Sequence, residues 1–207
     1  ILSNNSIILE SAFDERQFKD KEITKIEKNI VFIGRLLRFG KKRNIDFLIK
    51  AFSDRRLKEF KLNIVGGPNV LVNEIKRELN SSNVKLLGHL SHDQAIDLLI
   101  ESEIGILINP DDEHSNIHTS PIKYFEYERG RVKICSSNVP AHRNLPMQDN
   151  IYYFEKDDLE SFIISILKAS KNSFIPNKKI NEFSYESRVK KLMSSLARLE
   201  GLEPPIL

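Results

Sequence analysis

The sequence predicts an α/β fold, a parallel β-sheet covered by helices on both faces, and three observations predict it. Six short apolar runs, near 29–34, 62–65, 84–87, 104–108, 132–135 and 151–154, are continuous rather than alternating, as in strands buried on both sides. Segments with apolar residues at helical spacing separate most of these runs, which is the alternation of a parallel sheet. Three runs end directly in glycine, at Gly34, Gly66 and Gly88, so one edge of the sheet lets backbone come close to a ligand.

Residues 1–9 mix asparagine, serine and isoleucine and suit a short extended segment, and 10–28 is so charged that it reads as an exposed incoming linker. Asn29-Ile-Val-Phe-Ile-Gly34 is the first clear strand. The polar stretch Phe39-Gly-Lys-Lys-Arg43 follows as a loop, and Asn44 or Asp46 starts a helix that turns Phe47, Leu48, Ala51 and Phe52 inward. The second strand runs into Gly66-Gly67-Pro68, with a helix at 71–79 after it, and the third runs into Gly88-His89. Ser91-His-Asp-Gln94 has the form of a capping box, in which each of Ser91 and Gln94 satisfies the other's backbone amide. The helix it opens carries Ala95, Leu98 and Leu99, and the fourth strand ends in Asn109-Pro110. Ser120 as N-cap and Pro121 as first helical residue open the next helix, with Ile122, Phe125 and Arg129 on one face and Gly130 as its stop. Asp157 or Asp158 caps a helix containing Leu159, Phe162, Ile163, Ile166 and Leu167; 170–181 is a loop, and 185–199 is a final amphipathic helix. The chain is thus expected to divide into an incoming segment 1–28, a domain 29–182, and a C-terminal helix and tail 183–207.

With 207 residues, 40% of them apolar, the chain can bury one full core. The net charge of +3 is spread along the sequence with no basic arm, so nucleic acid is not an expected partner. The single Cys135 excludes an internal disulfide, and its apolar strand predicts a buried thiol in a reducing compartment. No apolar run reaches the length of a membrane span, and no signal peptide is visible. The chain begins with Ile rather than Met and is expected to be a piece of a longer protein.

Sheets of this kind bind ligands beyond the carboxyl ends of their strands. No Walker A loop, no G-x-G-x-x-G after the first strand, no Cys/His cluster and no serine in a nucleophile elbow occur. Asp111-Asp-Glu-His114 is contiguous on a polar loop and reads as solvated rather than as a metal site. What remains suits a phosphorylated ligand. Arg35 leaves the first strand directly after Gly34, and Lys41, Lys42 and Arg43 lie in the next loop. Guanidinium groups there can take a diphosphate bidentately. Lys123 lies in the first turn of a helix, where the dipole disfavours a cation unless an anion binds there or the side chain snorkels away. Glu126, one turn on, can accept hydrogen bonds from a sugar or ribose diol, or pair with Lys123 for a few tenths of a kcal/mol.

These residues resemble the C-terminal, donor-binding domain of GT-B glycosyltransferases of family 4, the retaining, nucleotide-sugar-dependent group, over about 30–196. Val31-Phe-Ile-Gly-Arg35 is similar to that family's strand ending in Gly-Arg, and Asn44-Ile-Asp-Phe-Leu-Ile-Lys-Ala-Phe52 to the helix after it. Leu62-Asn-Ile-Val-Gly-Gly-Pro68 and Val84-Lys-Leu-Leu-Gly-His-Leu-Ser91 resemble its next two strand ends. The most specific likeness is Ser120-Pro-Ile-Lys-Tyr-Phe-Glu-Tyr127 with 132–140, which resembles bacterial polysaccharide and O-antigen enzymes; Phe183-Ser-Tyr-Glu-Ser-Arg188 resembles the opening of the family's last helix.

The resemblance implies a Rossmann-like domain, the C-terminal half of a GT-B fold, that binds a nucleotide-diphosphate sugar. Arg35 binds the diphosphate in that reading, with Arg43 or Lys42 as its companion and no obligatory metal or other cofactor. The backbone at Thr119, Ser120, Pro121 and Ile122 cradles phosphate, Lys123 lies beside it, Glu126 binds ribose, and Gly34, Gly66, Gly88 and His89 line the nucleotide site. The family's first acid falls eight residues before Glu126, where this sequence has His118. The acceptor, a glycan or lipid-linked glycan, is bound in the family by an N-terminal half that this chain lacks. Little or no transfer by the chain alone is expected, and the acceptor type implies a cytoplasmic protein at the inner face of the membrane. The rival readings are a nucleotide-sugar epimerase of the same fold and a non-catalytic binding or assembly module.

Overall fold

The structure is a computed structural model that describes residues 9–38, 41–109 and 120–200. In chain order its elements are β1 (Ile26–Ile33), β2 (Leu37–Arg38), β3 (Lys41–Lys42), α1 (Ile45–Ala51), β4 (Lys61–Val65), α2 (Asn69–Glu78), β5 (Val84–Gly88) and α3 (His92–Glu101). There follow β6 (Ser102–Leu107), α4 (Ile122–Arg129), β7 (Lys133–Ser137), α5 (Pro140–Arg143), β8 (Ile151–Phe154), α6 (Leu159–Lys171) and α7 (Tyr185–Glu200). Six strands form one sheet in the order β5-β4-β1-β6-β7-β8, and every pairing in it is parallel. The order reverses between β1 and β6, which makes a crevice at their carboxyl ends.

The expected fold class therefore holds, and the side chains show why. Alternate residues of β1 go to opposite layers, Ile30 and Phe32 to one and Val31 and Ile33 to the other. The first layer is closed by Leu48 of α1, Leu71 of α2 and Phe162 of α6, and the second by Leu99 of α3 and Phe125 of α4. Each fully buried Leu or Phe contributes about 2 kcal/mol. The Ser91 capping box forms with both of its hydrogen bonds, and Asp158 caps α6 by accepting from the Ser161 amide at 2.9 Å.

Five local expectations are corrected. The incoming segment is not simply exposed linker: Phe13 and Phe18 are buried, edge to face at 5.9 Å, and β1 already begins at Ile26. Both aromatics, set inside a charged run, pack into the α3–α4 layer. Leu37–Arg38 and Lys41–Lys42 pair as a small antiparallel ribbon, where the sequence reads as a plain loop, closed by Arg43 N donating to Leu36 O at 2.9 Å. Ser120 does not cap α4, because its hydroxyl accepts the Ser11 amide at 3.1 Å; Pro121 takes the N-cap place, and the helix starts at Ile122. Ile122 is exposed and does not share the buried face of Phe125. Residues 178–183 form a 3-10 turn in what reads as loop.

Candidate functional site

The three glycine-ended strands meet at the carboxyl edge of the sheet, and their turns are laced together by backbone. Gly34 N donates to Val65 O at 3.0 Å, Leu36 N to Gly67 O at 3.0 Å, and Gly66 N to Gly88 O at 2.8 Å. At Gly66, where φ is +146°, an added Cβ would lie 1.8 Å from Gly34 O. The glycines' first effect is to bring the turns against one another, which makes the rim a single hydrogen-bonded surface.

Two guanidinium groups lie on this rim. Arg35 is exposed at the end of β1 and makes no hydrogen bond or ion pair among the described residues. Arg43 is drawn in by the ribbon and lies across Gly34, where a Cβ would come within 2.9 Å of its Nη1. Lying over the end of β1 at Gly34, it stands beside the crevice between β1 and β6, and its charge acts on both Tyr127 and His142. The Tyr127 ring covers Gly105 of β6, its hydroxyl donates to Ile106 O at 3.4 Å, and burial raises its phenol well above the ordinary range. Lys42 lies on β3 opposite Leu37.

Glu126 is buried in the second turn of α4, with two partners for its carboxylate. Lys123, one turn earlier, donates to Oε2, and His92 Nε2 lies 3.2 Å from Oε1. The oddly placed first-turn lysine thus has a local partner, and a buried carboxylate needs such compensation. His92 is the first residue of α3, half-exposed. Sequence reading passed over it as one letter inside a capping box. The available signal was topological: α3 and α4 start on the same side of the sheet.

His142 is a second residue that sequence reading missed. It lies on α5, just past β7, and is fully buried. Its Nδ1 lies 2.8 Å from Ser136 Oγ and 3.1 Å from Ser137 O, while Tyr153 Oη donates to its backbone carbonyl at 2.8 Å. Burial, with the nearby Arg43 charge, pushes its imidazole down to about 4, so it is neutral at physiological pH.

The remaining predicted residues separate by position. Gly88 is buried beneath the rim and His89 is exposed on it. Ser120 and Pro121 lead into α4, but Ser120 is engaged with Ser11 at both its hydroxyl and its carbonyl. His118 and Thr119 lie outside the described residues, as does the acidic run at 111–114. Cys135 is fully buried as expected, with its thiol pushed up to about 12 by burial. Among the described residues no group of three or more His, Cys, Asp or Glu is placed to hold a metal ion, and no helix is long and apolar enough to cross a membrane. The arrangement offers guanidinium charge beside a crevice, with a carboxylate and an imidazole at its margins. That chemistry suits a ligand combining phosphate with hydroxyl groups.

Residues 13–111 match the family model described as glycosyl transferases group 1. Among solved structures, the chain is similar to the catalytic domain of cholesterol-alpha-glucosyltransferase from Helicobacter pylori, with a TM-score of 0.50 and 14% identity, covering 82% of this chain and 98% of that one. It is also similar to TarM, with a TM-score of 0.54 and 17% identity over 94% of this chain. The chain spans 36% of TarM's length. At these identities the likenesses show a common fold. No curated protein shows significant sequence similarity to the chain.

Proposed function

We infer that the chain is the donor-binding half of a retaining glycosyltransferase of family 4, which transfers a sugar from a UDP- or GDP-sugar to a glycan or lipid-linked acceptor. The match of 13–111 to the group 1 glycosyl transferases supports the transferase reading. One observation carries the site: Arg35 is exposed and without a carboxylate partner among the described residues, beside Arg43 at the edge of the crevice. As the sugar departs, the nucleoside diphosphate gathers negative charge, and fixed guanidinium groups stabilise it without reorganising. Glu126 turns one oxygen from Lys123 or His92 to the ribose hydroxyls. The acceptor binds mainly to an N-terminal domain outside this chain, so the chain alone is inactive. Its pathway is cell-surface polysaccharide or O-antigen synthesis, on the cytoplasmic face of the inner membrane.

Calorimetry of the chain with UDP, GDP and their hexose conjugates tests this reading. Binding of one base series, lost in Arg35→Ala, is expected; binding of none overturns it. A second reading, a non-catalytic nucleotide-sugar-binding module, is favoured by one observation: both Glu126 oxygens already have partners. A product assay on the enzyme joined to its acceptor domain separates the two.

A further inference from the structure

The buried acid of α4 has an exposed partner. Glu126 is buried, whereas His92, whose Nε2 lies 3.2 Å from Glu126 Oε1, keeps half of its side chain in solvent. The two belong to different helices. α3 and α4 share one layer with Val31 and Ile33 of β1 and Leu107 of β6, so their first turns stand together at the carboxyl edge, beside the crevice. His92 is three residues past His89, and the Ser91 capping box fixes its turn, with Ser91 Oγ accepting from Gln94 N at 3.2 Å.

The tautomer follows from the pairing. A carboxylate oxygen accepts and does not donate, so Nε2 carries the hydrogen. Lys123 holds the other oxygen, which leaves Oε1 to the imidazole. In the neutral ring Nδ1 is then an acceptor, and it makes no hydrogen bond among the described residues. Nε2 points inward at a buried carboxylate, so the edge of the ring turned away from Glu126 is the one that carries Nδ1. A carboxylate on one imidazole nitrogen makes the other a stronger acceptor.

We propose that His92 is a ligand-binding residue of the nucleotide site, its Nδ1 accepting a hydrogen bond from a ribose hydroxyl while Glu126 holds the ring. This rests on the nucleotide-sugar reading above. There the base lies over Gly88 and His89 and the diphosphate lies at Arg35 and Arg43, so the ribose joins the two within the margin that His92 borders. The vicinal diol of a ribose has two donors, and this margin offers two acceptors, a Glu126 oxygen and Nδ1. A site built to accept from a hydroxyl discriminates against ligands that lack it.

Two substitutions separate binding by His92 from support of Glu126 alone. His92→Gln places an amide near the Nε2 position, which keeps a donor for Glu126 and removes the Nδ1 acceptor. His92→Asn keeps an acceptor near the Nδ1 position and gives up the donor. Calorimetry of the wild-type chain and both variants is run with UDP, GDP and the 2′-deoxy, 3′-deoxy and 2′,3′-dideoxy forms of each. The wild type is expected to bind the ribonucleotide of its preferred base about tenfold more tightly than the dideoxy form. His92→Gln is expected to lose about fivefold for the ribonucleotide while the dideoxy form stays within about twofold, and His92→Asn to lose less. One monodeoxy form is expected to bind His92→Gln as tightly as the ribonucleotide does, since the hydroxyl it lacks no longer has an acceptor. The inference is overturned, while the diphosphate reading stands, if the wild type shows no ribose preference or if His92→Gln keeps that preference in full. It is equally overturned if His92→Gln weakens ribonucleotide and dideoxy form alike, or if His92→Asn loses more than His92→Gln. If the wild-type chain binds none of these nucleotides, the underlying reading fails and this inference fails with it.

Discussion

Glu126 and Glu128 lie on the same helix, each only 3% exposed, and are held in opposite ways. Glu126, near the carboxyl edge of the sheet, has an ammonium group and an imidazole at its oxygens. Glu128 faces away from that edge and receives only the Asn150 amide, at 3.2 and 3.5 Å, while burial pushes its carboxyl up to about 7. The amide is itself locked, since Asn150 also accepts from Ile175 N at 2.8 Å and donates to Ile175 O at 3.0 Å. One helix therefore maintains a charge-compensated acid toward the carboxyl edge of the sheet and a readily neutralised acid away from it. The burial is equal; the difference lies in the partners, and these follow from which loop each end of α4 meets.

Four expected outcomes sharpen or break this contrast. On the function proposed above, with an acceptor domain joined to the chain, Arg35→Ala is expected to lower turnover by about 10²–10³, as for the loss of one preorganised donor to a developing anion. Glu128→Gln is expected to leave it within a few-fold, and comparable losses in steady-state assays would break the division between the two edges. Next, Gly66→Ala is expected to destabilise the chain by about 3 kcal/mol in urea unfolding, because a side chain strained at positive φ also meets the Gly34 carbonyl. An unaltered midpoint would mean that the rim is not a single bonded surface.

The third outcome concerns pH. The folded carboxyl of Glu128 lies at about 7 against an ordinary 4.5, so the folded state holds the proton more tightly than the unfolded chain. Its stabilising contribution is fully present below the unfolded value and is lost as pH rises to about 7. Thermal unfolding between pH 5 and 8 is expected to show that decline, and Glu128→Gln to flatten it. The smallest effect is Ser91→Ala, which removes the capping hydroxyl of α3 at about 1 kcal/mol. It also loosens the turn carrying His92, so circular dichroism melting and nucleotide affinity are expected to fall together, though modestly.

What could be read from the sequence was whatever a short window contains. The continuous apolar runs, the Ser91 capping box and the Asp158 cap are local, and each forms as written. The glycines at the strand ends were legible as an edge, but their mutual approach was not, because each meets a turn from another strand. Ser120 was misread because its hydroxyl is engaged by Ser11, 109 residues away. Likewise the contact of His92 with Glu126 spans 34 positions and depends on two helices starting side by side. The β2–β3 ribbon has two-residue strands, too short for any periodicity to register. Phe13 and Phe18 were hidden by the charges around them, and His142 by an α5 too short to announce itself.

The chain enters and leaves this domain at the same place. Phe13 N donates to Phe183 O and Tyr185 N donates to Phe13 O, each at 3.0 Å, so the incoming backbone runs beside the segment that starts α7. Mechanically this is a clasp. A pull exerted through the residues before Phe13 and along α7 loads these two bonds together with the two that tie Ser11 to Ser120, at the approach to α4.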